Sequence, residues 1–258
     1  MQAPWALDRT FRSRHECKYL ISETLAQEVR RYASSFVQPD FFAARSKDFT
    51  YPIYSLYLDN RNFDLYRTTI EGHKNRFKLR IRGYDGNPDS PVFLEVKERS
   101  DRIVRKKRCL VSRDVARALL SGRSLPQDAS DIHSTDFAFF RSLMARLDAK
   151  ASVFVHYQRE AYEVAGPEPV RITFDRQLQF APPASTNVFA FPEHSWRPVF
   201  CPQVVLELKY TDACPLWVGR LVEHFQLSRV SVAKYIMSVD ASREIAPGHS
   251  PPSFSSHG

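Results

Sequence analysis

The sequence predicts an α+β fold: an eight-stranded antiparallel β tunnel, or barrel, with a charged lumen and helices around it. About eight segments have the length and composition of short strands, and helical segments with apolar stripes lie between and after them. Five strand segments place Lys, Arg or Glu at alternate positions among apolar residues, so that one face of the strand is charged. These stretches are 78–82, 95–97, 171–175, 207–209 and, with charges on both faces, 103–111.

Length and composition bound the class of protein. A chain of 258 residues with 43% hydrophobic residues is long enough for one sizeable core and short for two independent domains. Lys and Arg outnumber Asp and Glu by 37 to 29, and the net charge of +8 favours an anionic partner. Cys17, Cys109, Cys201 and Cys214 lack the spacing of a zinc site, which indicates a reduced, cytoplasmic protein. No segment is apolar enough for a signal peptide or a transmembrane segment.

The N-terminal half of the chain combines one helix with several strands. Ser22 is a suitable N-cap, and the apolar residues after it follow helical spacing until Pro39 ends the segment. Turn-forming residues at 85–88 end a later strand. The strands predicted in this half are 14–20, 51–58, 77–84, 91–98 and 103–111, of which the last two form a hairpin.

The C-terminal half adds helices and three more strands. Apolar residues recur at helical spacing at 113–120 and 136–147. A Pro-rich stretch at 181–202 is expected to be a loop or a lid. The further strands are 153–162, 170–176 and 204–210, and the last helices are 215–226 and 231–239.

One folded domain is predicted at 14–240. Residues 1–13 precede it as an N-terminal extension. Residues 241–258 have the composition of a disordered tail.

The charged faces of the strands are expected to point inward. Opposite them lie apolar residues such as Leu79 and Ile81, and helices with apolar stripes, such as the one with Leu25 and Val29, are available to cover these. The alternative is a solvated sheet face, which is common for a single antiparallel strand. Five such faces rich in Arg and Lys would repel one another unless carboxylates or a polyanion lay between them. The pattern therefore favours an enclosed surface that binds phosphates.

Seven short motifs follow one another along 14–239. They are HECKY at 15–19, SLYLD at 55–59, KLRIRGY at 78–84, FLEVK at 93–97, YQREAY at 157–162, RITFD at 171–175 and ELKY at 207–210. In number and order they resemble the motifs of the VTC domain. This is the polyphosphate polymerase branch of the CYTH-like, triphosphate tunnel metalloenzyme superfamily.

The resemblance implies an eight-stranded tunnel whose basic lumen holds a triphosphate or polyphosphate chain. It also implies a divalent metal, Mn²⁺ or Mg²⁺, at an acidic residue. Polymerase members of the family transfer the γ-phosphoryl of ATP to a growing polyphosphate. We therefore expect ATP and polyphosphate as partners, no nucleic acid, and a membrane protein as a candidate partner for export.

The resemblance and the strand pattern together assign residues to these roles. Catalysis is assigned to Arg80, Arg82, Arg159 and Lys234. Phosphate binding is assigned to a wider set of cations: Lys18, Lys78, Arg80, Arg82, Lys97, Lys106, Arg108, Arg159, Arg171, Lys209 and Lys234. An Arg side chain can donate two parallel hydrogen bonds to a phosphate, whereas a Lys acts more as a point charge.

The carboxylates have two candidate roles. Glu207 is assigned to the metal, and Glu16, Glu95 and Asp175 are further candidates whose alternative role is ion pairing with an Arg of the lumen. Ala233 stands where the family has the Ser of a Ser-Lys-Tyr motif. A hydroxyl contact to phosphate is therefore missing, unless another residue such as Ser231 supplies it.

Three other functions remain open at this point. If water instead of a phosphate chain attacks the γ-phosphorus, the protein is an inorganic or nucleoside triphosphatase with the same residues. If the carboxylates are all ion-paired, a non-catalytic binder or sensor of polyphosphate is favoured. Nucleic-acid binding would need stacking aromatics beside the charges, and Phe93 alone is too small a platform.

Overall fold

The computed structural model describes residues 14–101, 103–126, 130–164, 169–185, 189–199, 203–211 and 213–245. Ten strands are present in this part of the chain: β1 (Arg14–Ile21), β2 (Gln38–Pro39), β3 (Thr50–Asp59), β4 (Asn75–Gly83), β5 (Val92–Ser100), β6 (Ile103–Val111), β7 (Lys150–Val164), β8 (Val170–Ala181), β9 (Arg197–Pro198) and β10 (Val204–Thr211). The α-helices are α1 (Glu23–Ala33), α2 (Asp64–Ile70), α3 (Arg113–Ser121), α4 (Thr135–Leu147), α5 (Leu216–His224) and α6 (Lys234–Ile245).

All ten strands belong to one antiparallel sheet. The order of the long strands is β1-β10-β8-β7-β3-β4-β5-β6, while β2 pairs with β7 and β9 pairs with β8. The eight long strands coincide with the eight predicted ones, so the α+β class and the antiparallel sheet are confirmed. The two-residue strands and α2 were not predicted.

The predicted closed barrel is corrected, because the sheet is open. Within the described residues, β1 and β6 are its two edges and do not pair with each other. β6 points Lys106 and Arg108 to one face and Lys107 to the other. Charged side chains of this kind are typical of an edge strand that is protected from further pairing.

A side-chain ion pair shows how strongly the open sheet curls. The Lys97 ammonium of β5 lies 2.8 Å from a carboxylate oxygen of Glu16 in β1. In the strand order these two strands are six steps apart, which would be about 29 Å in a flat sheet. The sheet must therefore roll around the face that carries them. We call this face, which bears Glu16, Glu95 and Lys97, the inner face, and its opposite the outer face.

Helices bury the apolar outer face, as the sequence predicts. α1 and α5 pack on β1, β8 and β10, and α3 and α4 pack on the strands from β3 to β6. Three of these helices begin at a serine whose hydroxyl accepts a hydrogen bond from a backbone N–H of the first turn. These N-caps are Ser22, Ser112 and Ser134.

α6 packs on the inner face instead. Tyr235 and Val239 of this helix lie among buried residues of β3, β7 and β8. The Tyr235 hydroxyl donates to Asp59 Oδ2 at 2.6 Å, and its ring stacks on Tyr57 at 4.8 Å between centroids. Asp59 also accepts the backbone N–H groups of Leu65 and Tyr66 at the start of α2. One buried carboxylate thus joins the end of β3 to two helices.

Several predicted segments lie partly or wholly outside the described residues. The extension at 1–13 lies outside them, as do 246–258 of the predicted tail. α6 continues to Ile245, five residues into that tail. In the predicted loop at 181–202 the chain forms β9, and 186–188 and 200–202 are not described. None of the described helices combines the length and apolar character needed to cross a membrane.

Removal of the Tyr235 hydroxyl tests the anchoring of α6. We expect Tyr235→Phe to lower the free energy of unfolding by about 1–3 kcal/mol, because the buried Asp59 loses a hydrogen-bond donor. Urea unfolding at neutral pH measures this quantity. Tyr32→Phe alters a partly exposed ring of α1 and serves as the matched control. Equal stability of the two variants would contradict the anchoring role.

Candidate functional site

The strand register brings the predicted site residues onto the inner face. In β4, Arg80 lies opposite Glu95 of β5, which in turn lies opposite Arg108 of β6. Lys234 reaches the same face from the first turn of α6. The predicted residues found together here are Glu16, Lys18, Lys78, Arg80, Arg82, Glu95, Lys97, Lys106, Arg108, Arg159, Arg171, Asp175, Glu207, Lys209 and Lys234. Eleven cations thus share the surface with four carboxylates.

Glu95 lies at the centre of one group of these cations. Its carboxylate is fully buried and accepts from Arg80 Nε at 2.6 Å, with the Lys106 ammonium at 3.2 Å. The guanidinium groups of Arg82 and Arg108 lie 3.9 Å and 3.8 Å away. Burial raises the pKa of Glu95, but these four cations outweigh it and hold the pKa well below its usual value. The single negative charge of Glu95 therefore offsets only part of the positive charge of the four cations around it.

Arg82 makes its hydrogen bonds to neutral groups. Its guanidinium donates to Ser55 Oγ at 3.1 Å and to the Tyr157 hydroxyl at 3.3 Å. The side chain is 7% exposed, and the Glu95 carboxylate is beyond hydrogen-bond distance. Its charge is thus less directly neutralised than that of Arg80.

Asp175 joins β7, β8 and α6. Both of its oxygens accept from the Arg159 guanidinium, at 2.7 and 2.8 Å, and the Lys234 ammonium lies at 2.7 Å. Burial raises the pKa of Asp175, but Arg159 and Lys234 lower it far below the ordinary value. Asp175 therefore carries a full negative charge and fixes the two cations.

Glu16 and Glu207 form a pair of carboxylates on neighbouring strands. The ammonium groups of Lys97 and Lys209 lie 2.8 Å from Glu16 and Glu207, respectively. Lys18 lies 3.3 Å from the first and 3.8 Å from the second. Burial and mutual repulsion raise the pKa of Glu16, yet the lysines keep it below its usual value.

This pair fits a divalent cation. Mg²⁺ is commonly held by one or two carboxylates together with the phosphates of its substrate. Within the described residues, no group of three or more His, Cys, Asp or Glu side chains could hold a metal by itself. Glu95 and Asp175 make the ion pairs expected as their alternative role, and their assignment to a metal stays a prediction.

Arg171 lies apart from these groups. Its guanidinium is paired with Asp40 at 2.5 Å and with Glu163 at 2.7 Å. Asp40 also accepts from the Tyr51 hydroxyl and from the backbone N–H of Ala43. Asp40 was missed in the sequence, where no strand or helix pattern marks its position.

Tyr57 is a second residue that the sequence reasoning missed. It alternates with Leu56 and Leu58, and this alternation was a signal for the inner face. Arg80 Nη1 donates to its hydroxyl at 3.2 Å. Burial raises the pKa of Tyr57, but Arg80, Arg82 and Lys78 more than offset this and lower it to about 7.

The pKa of Lys78, on the same face, is also shifted toward neutrality. Burial, together with the nearby charges of Lys97 and Lys18, lowers the pKa of Lys78 to about 8, although Tyr57 acts in the other direction. Two groups with ordinary pKa values near 10 thus titrate close to neutrality. The neighbouring cations cause the shift of the Tyr57 pKa, whereas burial is the larger cause for Lys78 and the neighbouring cations add to it.

The outer face carries basic residues of a different kind. The Lys107 ammonium lies over the Phe139 ring of α4, 3.8 Å from its centroid. Lys107 thus points away from the inner face. Lys107 is therefore a suitable control for the inner cations.

The chain is similar in sequence to known proteins. The family model of the VTC domain matches residues 13–243. Vacuolar transporter chaperone complex subunit 2 of Schizosaccharomyces pombe is 30% identical over 131 residues, which cover 46% of this chain and 18% of that protein. This chain thus matches less than a fifth of that relative's length.

Two solved structures also match most of this chain. A candidate adenylate cyclase from Bacillus halodurans has a TM-score of 0.46 at 11% identity, and the match covers 86% of this chain and 95% of that one. A protein from Pyrococcus horikoshii has a TM-score of 0.43 at 14% identity, with coverage of 90% and 99%.

A tyrosine that ionises near neutrality is a measurable consequence of this site. We expect one phenol to lose its proton with a midpoint at about pH 7, and Tyr57→Phe to remove this step, because the nearby guanidinium groups stabilise the phenolate. Ultraviolet difference absorbance of tyrosinate follows the titration. Tyr32→Phe is the control and should retain the step.

The linked effect on stability has a definite sign. The unfolded phenol keeps its pKa near 10, so the folded state binds fewer protons between about pH 7 and pH 10. The contribution of Tyr57 to the free energy of unfolding should therefore rise with pH over this window. A wild-type titration without any tyrosinate below about pH 9 would contradict the placement of Tyr57.

Proposed function

Since the chain belongs to the VTC domain family, we propose that it is a metal-dependent polyphosphate polymerase that transfers the γ-phosphoryl of ATP to a polyphosphate chain on the inner face. The observation that carries this proposal is the convergence of eleven cations from seven strands and a helix on a face around which the sheet rolls. A linear polyanion has the charge and the shape that such a surface can bind.

For phosphoryl transfer, a protein mainly has to position the reacting groups and neutralise their charge, and it needs to form few covalent bonds itself. The γ-phosphate and the acceptor must be held in line while the charge on the oxygens is neutralised. Arg82 suits the reacting phosphate, because its partners are hydroxyls that release it at little cost. Arg80 and Arg159 are held in fixed orientations by Glu95 and Asp175. Lys234 supplies a charge from α6 to the same region.

The carboxylate pair has a separate task. Glu16 and Glu207 are the residues that would hold a divalent cation, which would supply Lewis-acid charge to the phosphate oxygens. Lys18, Lys97 and Lys209 keep both carboxylates ionised despite their burial, and the pKa values of both lie below the ordinary one. Both carboxylates are therefore ionised at neutral pH.

A second candidate function is a non-catalytic binder of polyphosphate. The ion pairs of all four carboxylates favour it, because carboxylates committed to Arg and Lys contribute less to a metal site. The inner cations would then serve affinity alone. This reading uses the same surface and differs only in the absence of turnover.

One assay separates these functions. The purified protein is incubated with ATP and Mn²⁺, and the phosphate products are resolved on a gel. Polyphosphate chains longer than the triphosphate of ATP support the polymerase. Free phosphate as the sole product would show that the protein is a triphosphatase. Tight polyphosphate binding without turnover would show that it is a non-catalytic binder.

Arg82→Ala tests the role of the inner cations. We expect polymerase activity to fall by about 100-fold or more, because a donor to the transferred phosphoryl is lost. The protein should stay folded, with a loss of no more than about 2 kcal/mol in the free energy of unfolding. Lys107→Ala removes a cation from the outer face and should keep full activity. Similar activities of the two variants, or an unfolded Arg82→Ala, would count against the proposal.

Glu207→Gln tests the metal assignment. The amide keeps the size of the side chain but removes the charge that binds the cation, so Mn²⁺-dependent turnover should be lost. Binding of tripolyphosphate in the presence of EDTA should persist, because the inner cations remain. Isothermal titration calorimetry measures the second quantity. An unchanged dependence of the rate on Mn²⁺ would rule out Glu207 as a ligand.

A further inference from the structure

Thr173 is a buried polar residue in the middle of the inner face. It lies in β8 between Arg171 and Asp175, opposite Glu207 of β10 and Ala161 of β7. The residue is 0% exposed. Its hydroxyl has no hydrogen-bond partner in the part of the chain that the structure describes.

The neighbouring carboxylates do not satisfy this hydroxyl. Both oxygens of Asp175 accept from Arg159, and Lys234 adds a further contact. Glu207 faces the ammonium groups of Lys209 and Lys18. The nearby carboxylates thus face cations, and within the described residues neither accepts a hydrogen bond from Thr173.

An unpaired hydroxyl at this position is costly. A buried hydroxyl without a partner destabilises the folded state, and a valine would fill the same volume without this cost. The hydroxyl therefore has no role in holding the unliganded fold together. A partner that arrives with a ligand would explain its presence.

The charges nearby indicate the chemistry of that ligand. Arg171, Arg159, Lys209 and Lys234 surround the position, and an anionic oxygen is the acceptor that such a setting favours. We propose that the Thr173 hydroxyl donates a hydrogen bond to a phosphate oxygen of the bound chain, between Arg159 and Arg171. This inference rests on the proposed function, because it needs a phosphate chain on the inner face.

The ligand must uncover the hydroxyl as it binds. Lys209 and Lys234 have long side chains that are now held by Glu207 and Asp175. When phosphates arrive, these ammonium groups can exchange a carboxylate for a phosphate oxygen. Thr173 is then a neutral donor on a rigid strand, fixed by pairing on both sides.

Two substitutions separate the hydroxyl from the shape of the side chain. Thr173→Val keeps the branched shape and removes the donor, whereas Thr173→Ser keeps the donor. Isothermal titration calorimetry with tripolyphosphate in EDTA should give about tenfold weaker binding for Thr173→Val. Thr173→Ser should stay within about threefold of the wild type. Without ligand, Thr173→Val should melt at the wild-type temperature or above it.

Several outcomes of these measurements would overturn the inference. Unchanged tripolyphosphate affinity in Thr173→Val would overturn the inference, as would equal weakening in Thr173→Ser or a lower melting temperature of Thr173→Val without ligand. A variant that loses affinity for Mn²⁺ alone, with tripolyphosphate binding in EDTA intact, would make Thr173 a metal ligand and also overturn it. If the wild type itself fails to bind tripolyphosphate, the proposed function fails as well.

Discussion

Repulsion among cations on one curved face of a β-sheet is the constraint on which the rest of this structure depends. Eleven predicted cations lie there beside four predicted carboxylates, and several are buried. Like charges at such distances repel strongly when water is excluded. The protein offsets this by placing each carboxylate among several cations, as Glu95 is placed among four. What remains is an excess of positive charge that an anionic ligand can neutralise.

The same excess explains the unusual proton equilibria. Tyr57 and Lys78 both have pKa values moved toward neutrality, in each case in the direction that reduces net positive charge. The apolar outer face and its helices hold the sheet in the curvature that brings these charges together. α6 then covers part of the inner face through Tyr235 and delivers Lys234. Apolar packing on both faces thus stabilises the sheet, while the charges are concentrated on the inner face.

Much of the fold followed from local pattern. Because side chains alternate along a strand, the placement of Lys78, Arg80 and Arg82 opposite Leu79 and Ile81 could be read directly from the sequence. Whether the sheet closes could not be predicted in this way, because closure requires the edge strands β1 and β6, which are distant in sequence, to pair. The docking of α6 on the inner face depends on contacts between residues distant in the chain, such as the hydrogen bond from Tyr235 to Asp59, 176 positions away. Asp40 lies outside any periodic segment, so no pattern predicted it. Ion pairing and metal binding look alike in sequence, and in the structure all four predicted carboxylates make ion pairs.

A crystal structure of the protein with bound tripolyphosphate tests the central claim most directly. The account predicts phosphorus density along the inner face, with phosphate oxygens within hydrogen-bond distance of Arg82 and Arg159. Density confined to outer cations such as Lys107, with the inner face free of ligand at saturating tripolyphosphate, would contradict it.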